Sequence, residues 1–191
     1  MKNLVIPNQE SLDEKLKKLF LDGAGNFFVI ADFGRTLTKC FLDGKKISTS
    51  WSSIRNEGYL GGEYKKRALE YFDKYHPMER DPNINLDEKI RILTEWWRLH
   101  LELLLEFGFN LKIINDLINN GKVPLRKGIS EFLDLLKSKN IPVIIVSQGL
   151  SDLYREAIKK IGKMHDNIYF ISNLFDFDEN GKAVKYKGII I

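Results

Sequence analysis

Apolar residues first fall at helical spacing at Leu12, Leu16, Leu19 and Phe20, with Asn8 or Ser11 as the cap and "DGAGN" at Asp22 to Asn26 as the stop. Phe27 to about Ala31 is apolar without alternation, which predicts a strand buried on both faces, as in a parallel sheet covered by helices. From Lys45 to about Gly121 the period lengthens. "EYKKRALEYFDKY", "NLDEKIRILTEWWRLHLELLLEFG" and "LKIINDLINNG" read as helices, each closed by Gly or a Pro-containing break. Asn85 and Glu88 form a capping box at the head of the middle one, Leu86 to Phe107, and Gly108 suits the residue past its end. Then come a helix from Ile129 to Lys139, the strand "PVIIVS", the helix "SDLYREAIKKIG" and the strand "NIYFIS". In "FDFDENGKAVKYKG", "ENG" between two short strands reads as a hairpin.

This rhythm predicts an α/β fold, a doubly wound parallel sheet interrupted by helices. Residues 1–44 and 122–191 form the core and 45–121 a helical insert. Within the long helix, Ile90, Leu93, Trp97, Leu101 and Leu104 make one stripe. Ile92, Trp96, Leu99 and Leu103 make another about 120° round. A helix with so wide an apolar arc faces two things, a bundle core through Trp97 and a covered cleft through Trp96.

Composition narrows the function. With 191 residues, 43% of them hydrophobic, the chain can bury a sizeable core. Thirty basic against 26 acidic residues leave +4, too small an excess for a tract that grips nucleic acid. Cys40 is alone, which excludes an internal disulfide and fits the cytoplasm. No apolar run reaches the roughly 18 residues of a membrane span. His76, His100 and His165 with Cys40 lack zinc spacing, and "DFDEN" lacks the pattern of a calcium loop.

In parallel sheets, ligands gather beyond the carboxyl ends of strands. Asp32 ends the first strand and Ser147 ends "PVIIVS", followed by "QGLSD", whose backbone N–H groups at Gln148 and Gly149 face an opening helix. A carboxylate nucleophile beside a hydroxyl-and-amide cradle suits a phosphate ester. Taken singly, Asp32 reads equally as a turn residue and Ser147 as a helix cap.

"DFGRTLT" resembles the aspartate-containing first motif of the haloacid dehalogenase superfamily, and "IIVSQG" its second. Three longer segments are similar, in order, to the pyrimidine 5'-nucleotidase family: "EYKKRALEYFDKYHPMERDPNINLDEKIRILTEWW", "NIPVIIVSQGLSD" and "NIYFISNLFDFDENGKAVKYKG". The resemblance implies a cytosolic, Mg2+-dependent hydrolase of nucleoside 5'-monophosphates, with pyrimidines favoured, acting through an aspartyl phosphate. It makes Asp32 the nucleophile and a Mg2+ ligand, and Ser147 a phosphate ligand. Trp96 becomes the ring that stacks on the base, and Glu63 an acceptor for the base's amino edge.

Gly34 falls where the family has a second aspartate, whose carbonyl binds the metal and whose carboxyl moves the proton. Glycine keeps the carbonyl and loses the acid, so impaired turnover is expected, unless Gly34 serves a turn with positive φ. The family's lysine and its acidic metal pair lie beyond the hairpin, so neither Lys185 nor Lys187 takes that role. Two readings follow: an impaired 5'-nucleotidase, or a catalytically defective nucleotide-binding or partner-dependent subunit. On either, the C-terminal part of the core is missing, and the first strand becomes an edge that invites self-association or a partner chain.

Overall fold

The structure is a computed structural model and describes residues 5–191. The first four residues of the core segment 1–44 lie outside the described residues. A sheet in the order β1-β4-β5-β6 forms the base: β1 (Val29–Ala31), β4 (Val143–Leu150) and β5 (Ile168–Phe177) run parallel, and β6 (Ala183–Lys187) returns antiparallel. β5 is one ten-residue strand, so "NIYFIS" and the first arm of the expected hairpin are continuous. Asp178 closes the turn by accepting from the backbone N–H groups of Asn180 and Lys182, both at 2.9 Å.

One face of the sheet is covered. Val143, Ile145, Leu150 and Ile168 join Leu133 and Leu136 of α6 (Ile129–Ser138) and Leu153, Ala157 and Ile158 of α7 (Ser151–Lys160) in a single hydrophobic cluster. Each Val, Leu or Ile among them contributes about 1.5–3 kcal/mol on burial. The other face is open: Ile30 of β1 pairs with Ile144, Ile144 with Tyr169, and Val146 with Ile171. Ile30 is 62% exposed, and Tyr169 and Ile171 about half. The expectation that Phe27 to Ala31 is buried on both faces is therefore corrected. β1 is three residues long, pairs among the described residues with β4 alone, and its apolar run serves one covered side.

Between β1 and α6 the chain forms a hairpin and four helices. The hairpin joins β2 (Phe41–Leu42) to β3 (Lys45–Lys46) through Asp43 and Gly44, both at positive φ, the two-residue turn that an Asp-Gly pair favours. A short helix, α2 (Ser50–Asn56), follows, with Thr49 as its cap. α3 (Gly61–Arg80) continues through Pro77 instead of stopping before it, and packs along α4 (Leu86–Glu106). Asn85 caps α4 by accepting from the Glu88 N–H at 3.0 Å, whereas the Glu88 carboxylate pairs with Arg91 and leaves the capping box half made. α5 (Leu111–Asn119) lies on α7, which fastens the insert to the core.

The two connections of the insert touch. Thr38 bridges Leu125, Lys39 donates to Pro124 O at 2.9 Å, and Arg126 N donates to Leu37 O at 2.9 Å. The Arg126 guanidinium donates to the carbonyls of Arg35 at 2.7 Å and Thr36 at 2.8 Å. α1 (Gln9–Asp22), capped by Asn8, buries no residue. Among the described residues, no helix is long and apolar enough to cross a membrane.

Candidate active site

Ala31 pairs with Ile145, so Asp32, just past β1, and Ser147, within β4, lie at the same end of the sheet, within two residues of that pair. After Asp32 the chain winds round the Phe33 carbonyl, which accepts from the N–H groups of Leu37 at 3.0 Å and Thr38 at 3.1 Å. Asp32 is exposed, and its Oδ2 accepts from Thr36 Oγ1 at 3.0 Å. The residue at positive φ in this turn is Arg35, at 63°; Gly34 has none. A Cβ added to Gly34 would meet nothing within 4 Å. Neither backbone conformation nor crowding calls for glycine here, so the turn explanation for Gly34 falls away.

Ser147 does not end its strand. β4 continues to Leu150, with Gln148 and Gly149 bulging out between the pairs Ser147–Ser172 and Leu150–Asn173. Buried Asn173 clamps the bulge, donating to Gln148 O at 2.8 Å and to Ile190 O at 3.1 Å while accepting from Ile190 N at 2.9 Å. Ser147 is not a helix cap either, since Leu150 holds that position in α7. The Ser147 Oγ instead lies 3.0 Å from the Tyr154 hydroxyl and accepts a long bond, 3.4 Å, from Gly149 N–H.

Gln148 also lines a second feature, a cavity of about 200 Å³ walled by Trp51, Arg55, Phe72, Glu79, Trp96, Trp97 and His100. Trp96 stacks with Tyr75, at 5.8 Å between centroids, and with Trp97, at 5.5 Å. Both tryptophans are buried to the same degree and both line the cavity, so the division into one core ring and one cleft ring does not hold. α4 meets the cavity along its whole aromatic patch. Four nitrogens in this wall are buried without a hydrogen-bond partner: Trp51 Nε1, Arg55 Nε, Trp97 Nε1 and His100 Nε2. Burial, and then the Arg55 charge, push the His100 pKa down to about 4, so the ring is neutral near pH 7. Glu63 lies in the first turn of α3, exposed and outside this wall; Glu79 is the carboxylate that lines it.

Three site features are not legible in the sequence pattern. α2, which brings Trp51 and Arg55, is only seven residues long, although Thr49 before it is a cap signal. Tyr154 sits in a helix whose apolar pattern accounts for it as core. His100 stands out in the sequence only as a histidine without zinc spacing. For a metal, Asp32 offers one carboxylate and Gly34 a carbonyl, and no group of three or more His, Cys, Asp or Glu stands together among the described residues. That donor set fits Mg2+ only in part, since the ion takes six oxygens, of which one or two carboxylates and a substrate phosphate are commonly the anionic ones.

A parallel sheet with a carboxylate just past one strand and a serine within the next, beside a set of inserted helices, is a haloacid-dehalogenase-like fold. The crystal structure of cytosolic 5'-nucleotidase IIIB bound to cytidine superposes with a TM-score of 0.84 at 23% identity, over 98% of this chain and 63% of that one. A phosphoserine phosphohydrolase-like protein from Francisella tularensis shares the fold more loosely, with a TM-score of 0.51 at 18% identity, over 84% of this chain and 64% of that one. The profile of the pyrimidine 5'-nucleotidase (UMPH-1) family matches residues 35–191, and the chain belongs to that family. The matched stretch begins just after Gly34.

Among relatives, the 7-methylguanosine phosphate-specific 5'-nucleotidase A of Xenopus laevis is 30% identical over 95% of this chain and 63% of its own length. The Homo sapiens 7-methylguanosine phosphate-specific 5'-nucleotidase is 30% identical over 100% of this chain and 64% of its own. A putative cytosolic 5'-nucleotidase 3 of Caenorhabditis elegans is 28% identical over 98% and 51%. The chain thus spans between about half and two thirds of the length of these relatives.

Proposed function

We propose that this chain carries the site of a 5'-nucleotidase, a phosphomonoester hydrolase acting on nucleoside 5'-monophosphates, with turnover impaired at Gly34. The observation that carries the reading is the bulge at Gln148 and Gly149. It joins the strand end beside Asp32 to an aromatic cavity with unpartnered N–H groups, a phosphate place and a base place on one piece of backbone. Asp32 Oδ attacks phosphorus in line, the bond from phosphorus to the 5' oxygen breaks, and water then hydrolyses the aspartyl phosphate. Ser147 and the Gln148 and Gly149 amides bind the phosphoryl oxygens. Mg2+, held by Asp32 and the Gly34 carbonyl, would supply positive charge against them.

A base enters between Trp96 and the opposite wall, where Trp51, Trp97 and Arg55 offer donors to its carbonyls and Glu79 an acceptor to its amino group. Glu63 would serve such a base only from outside the cavity. At about 200 Å³ the space is below the roughly 300–1,000 Å³ of drug-sized sites and suits one planar ring system. A preference for pyrimidines over 7-methylguanine is part of the proposal. So is a cytoplasmic location, supported by the lone Cys40. The test is phosphate release from cytidine, uridine and 7-methylguanosine 5'-monophosphates with Mg2+. Asp32→Asn should abolish it; equal rates for parent and variant would overturn the nucleophile.

The second reading, nucleotide binding without turnover, is favoured by Gly34, where room for a carboxylate exists and none is supplied. Tight binding with no phosphate release would establish it. The open edge of β1 and the apolar face of Ile30, Val146, Tyr169 and Ile171 further support self-association of the isolated chain.

A further inference from the structure

Tyr154 is tied to the site from three sides. Its ring stacks on Phe33, between Asp32 and Gly34, with centroids 3.9 Å apart and planes 22° off parallel. Its hydroxyl meets Ser147 Oγ at 3.0 Å and lies beside Ser50, the first residue of α2. A Cβ built on Gly149 would fall 1.5 Å from that hydroxyl, so the bare backbone at Gly149 is what admits the phenol. Tyr154, Ser50 and Gly34 line one small cavity of about 30 Å³, the space of a single water.

The hydrogens of this cluster can be counted. Ser147 and Tyr154 carry two hydroxyl protons, and the bond between them uses one. Ser147 also accepts from Gly149 N–H, so its acceptor capacity is engaged from a second side. One O–H is left over and needs an acceptor outside the cluster. Burial raises the phenol's pKa, and the Asp32 charge pushes the same way, so the hydroxyl keeps its proton at neutral pH and acts as a donor. A site rich in donors and short of acceptors is built for an anionic oxygen.

We propose that the Tyr154 hydroxyl binds substrate directly, donating with Ser147 to a phosphoryl oxygen of a nucleoside monophosphate at the strand ends. The inference rests on the 5'-nucleotidase reading and assigns it a binding group from α7. It also gives Gly149 a purpose separate from its amide: the missing side chain makes room for the phenol.

Calorimetry with cytidine 5'-monophosphate and with cytidine, on parent, Tyr154→Phe and Gly149→Ala, is the test. Phe keeps the ring on Phe33 and removes only the hydroxyl; Ala keeps the hydroxyl and displaces it. The parent should bind the monophosphate more tightly than the nucleoside. Each variant should lose about tenfold or more for the monophosphate, the scale of a bond to a charged group, with cytidine unchanged. If both folded variants keep the parent's ratio between the two ligands, the role of Tyr154 is overturned and the 5'-nucleotidase reading survives. A parent that binds the monophosphate no better than cytidine, or binds neither, overturns the reading and the inference together. Should Tyr154→Phe fail to melt cooperatively, the ratio measured on Tyr154→Met, which also lacks the hydroxyl and leaves Gly149 in place, upholds or overturns the role of Tyr154 in the same way.

Discussion

Acidification should destabilise this protein in part through one side chain, His100. The ring is 5% exposed, edge-on to Trp51 at 5.0 Å and to Trp97 at 5.7 Å, with Tyr64 beyond and the Arg55 charge close by. Its pKa is about 4, against 6.5 for an ordinary histidine. Between those values the unfolded chain binds a proton that the folded one refuses, so stability falls as pH drops through 6.5 and levels off below 4. The full effect is about 3 kcal/mol, of which about 2 kcal/mol is lost between pH 7.5 and 5. Urea unfolding at both pH values, on parent and on His100→Phe, measures it. Phe keeps an aromatic ring among the tryptophans and forfeits no bond through Nε2, which has none. Asp134, whose pKa is lowered by hydrogen bonds from Lys163 and His165, adds an acid sensitivity of its own, common to both proteins. The parent should therefore lose about 2 kcal/mol more than the variant over this range. Parallel losses would show that His100 takes up its proton without unfolding the chain, and would refute a sealed aromatic wall.

Gly34→Asp has space to fit and should raise phosphate release by roughly 10²–10⁴; an unchanged rate would remove the acid–base role from this position. Trp96→Ala should weaken monophosphate binding by about 1–3 kcal/mol by calorimetry. Because Trp96 and Trp97 are equally buried, both alanine variants should destabilise by about 3–5 kcal/mol in urea, and a much milder Trp96→Ala would mean that its ring is not held in the stack. Light scattering on the isolated chain should show self-association; a monodisperse monomer with a cooperative melt would show that the open sheet face needs no cover.

The elements with long, regular periods are legible in the sequence. The pattern places α4 and α6 each to within one residue, because their apolar positions repeat over several turns and Asn85 and Gly108 mark the ends of α4. The failures have local causes. "FFVIA" reads as doubly buried because composition reports apolarity and not which face is covered. The hairpin at Asp43 and Gly44 and the seven-residue α2 are too short for periodicity, although their turn and cap residues are visible. At the site, Asp32 and Ser147 can be placed from the strand pattern, since strand ends are where parallel sheets do chemistry. The cavity wall cannot. Trp51 and Trp97 are 46 positions apart and meet only because α2 folds against α3 and α4. Tyr154 is hidden for another reason, since a helical tyrosine at an apolar position looks like core until its hydroxyl is seen against Gly149.

The touching connections of the insert join two lengths of backbone that are far apart in sequence, and one of these begins in the turn that carries Asp32. Arg126, on the returning length, grips the carbonyls of Arg35 and Thr36 in that turn. The turn that holds Asp32 is therefore pinned to the returning length as well as to β1, and its shape depends on chain about 90 positions away in sequence.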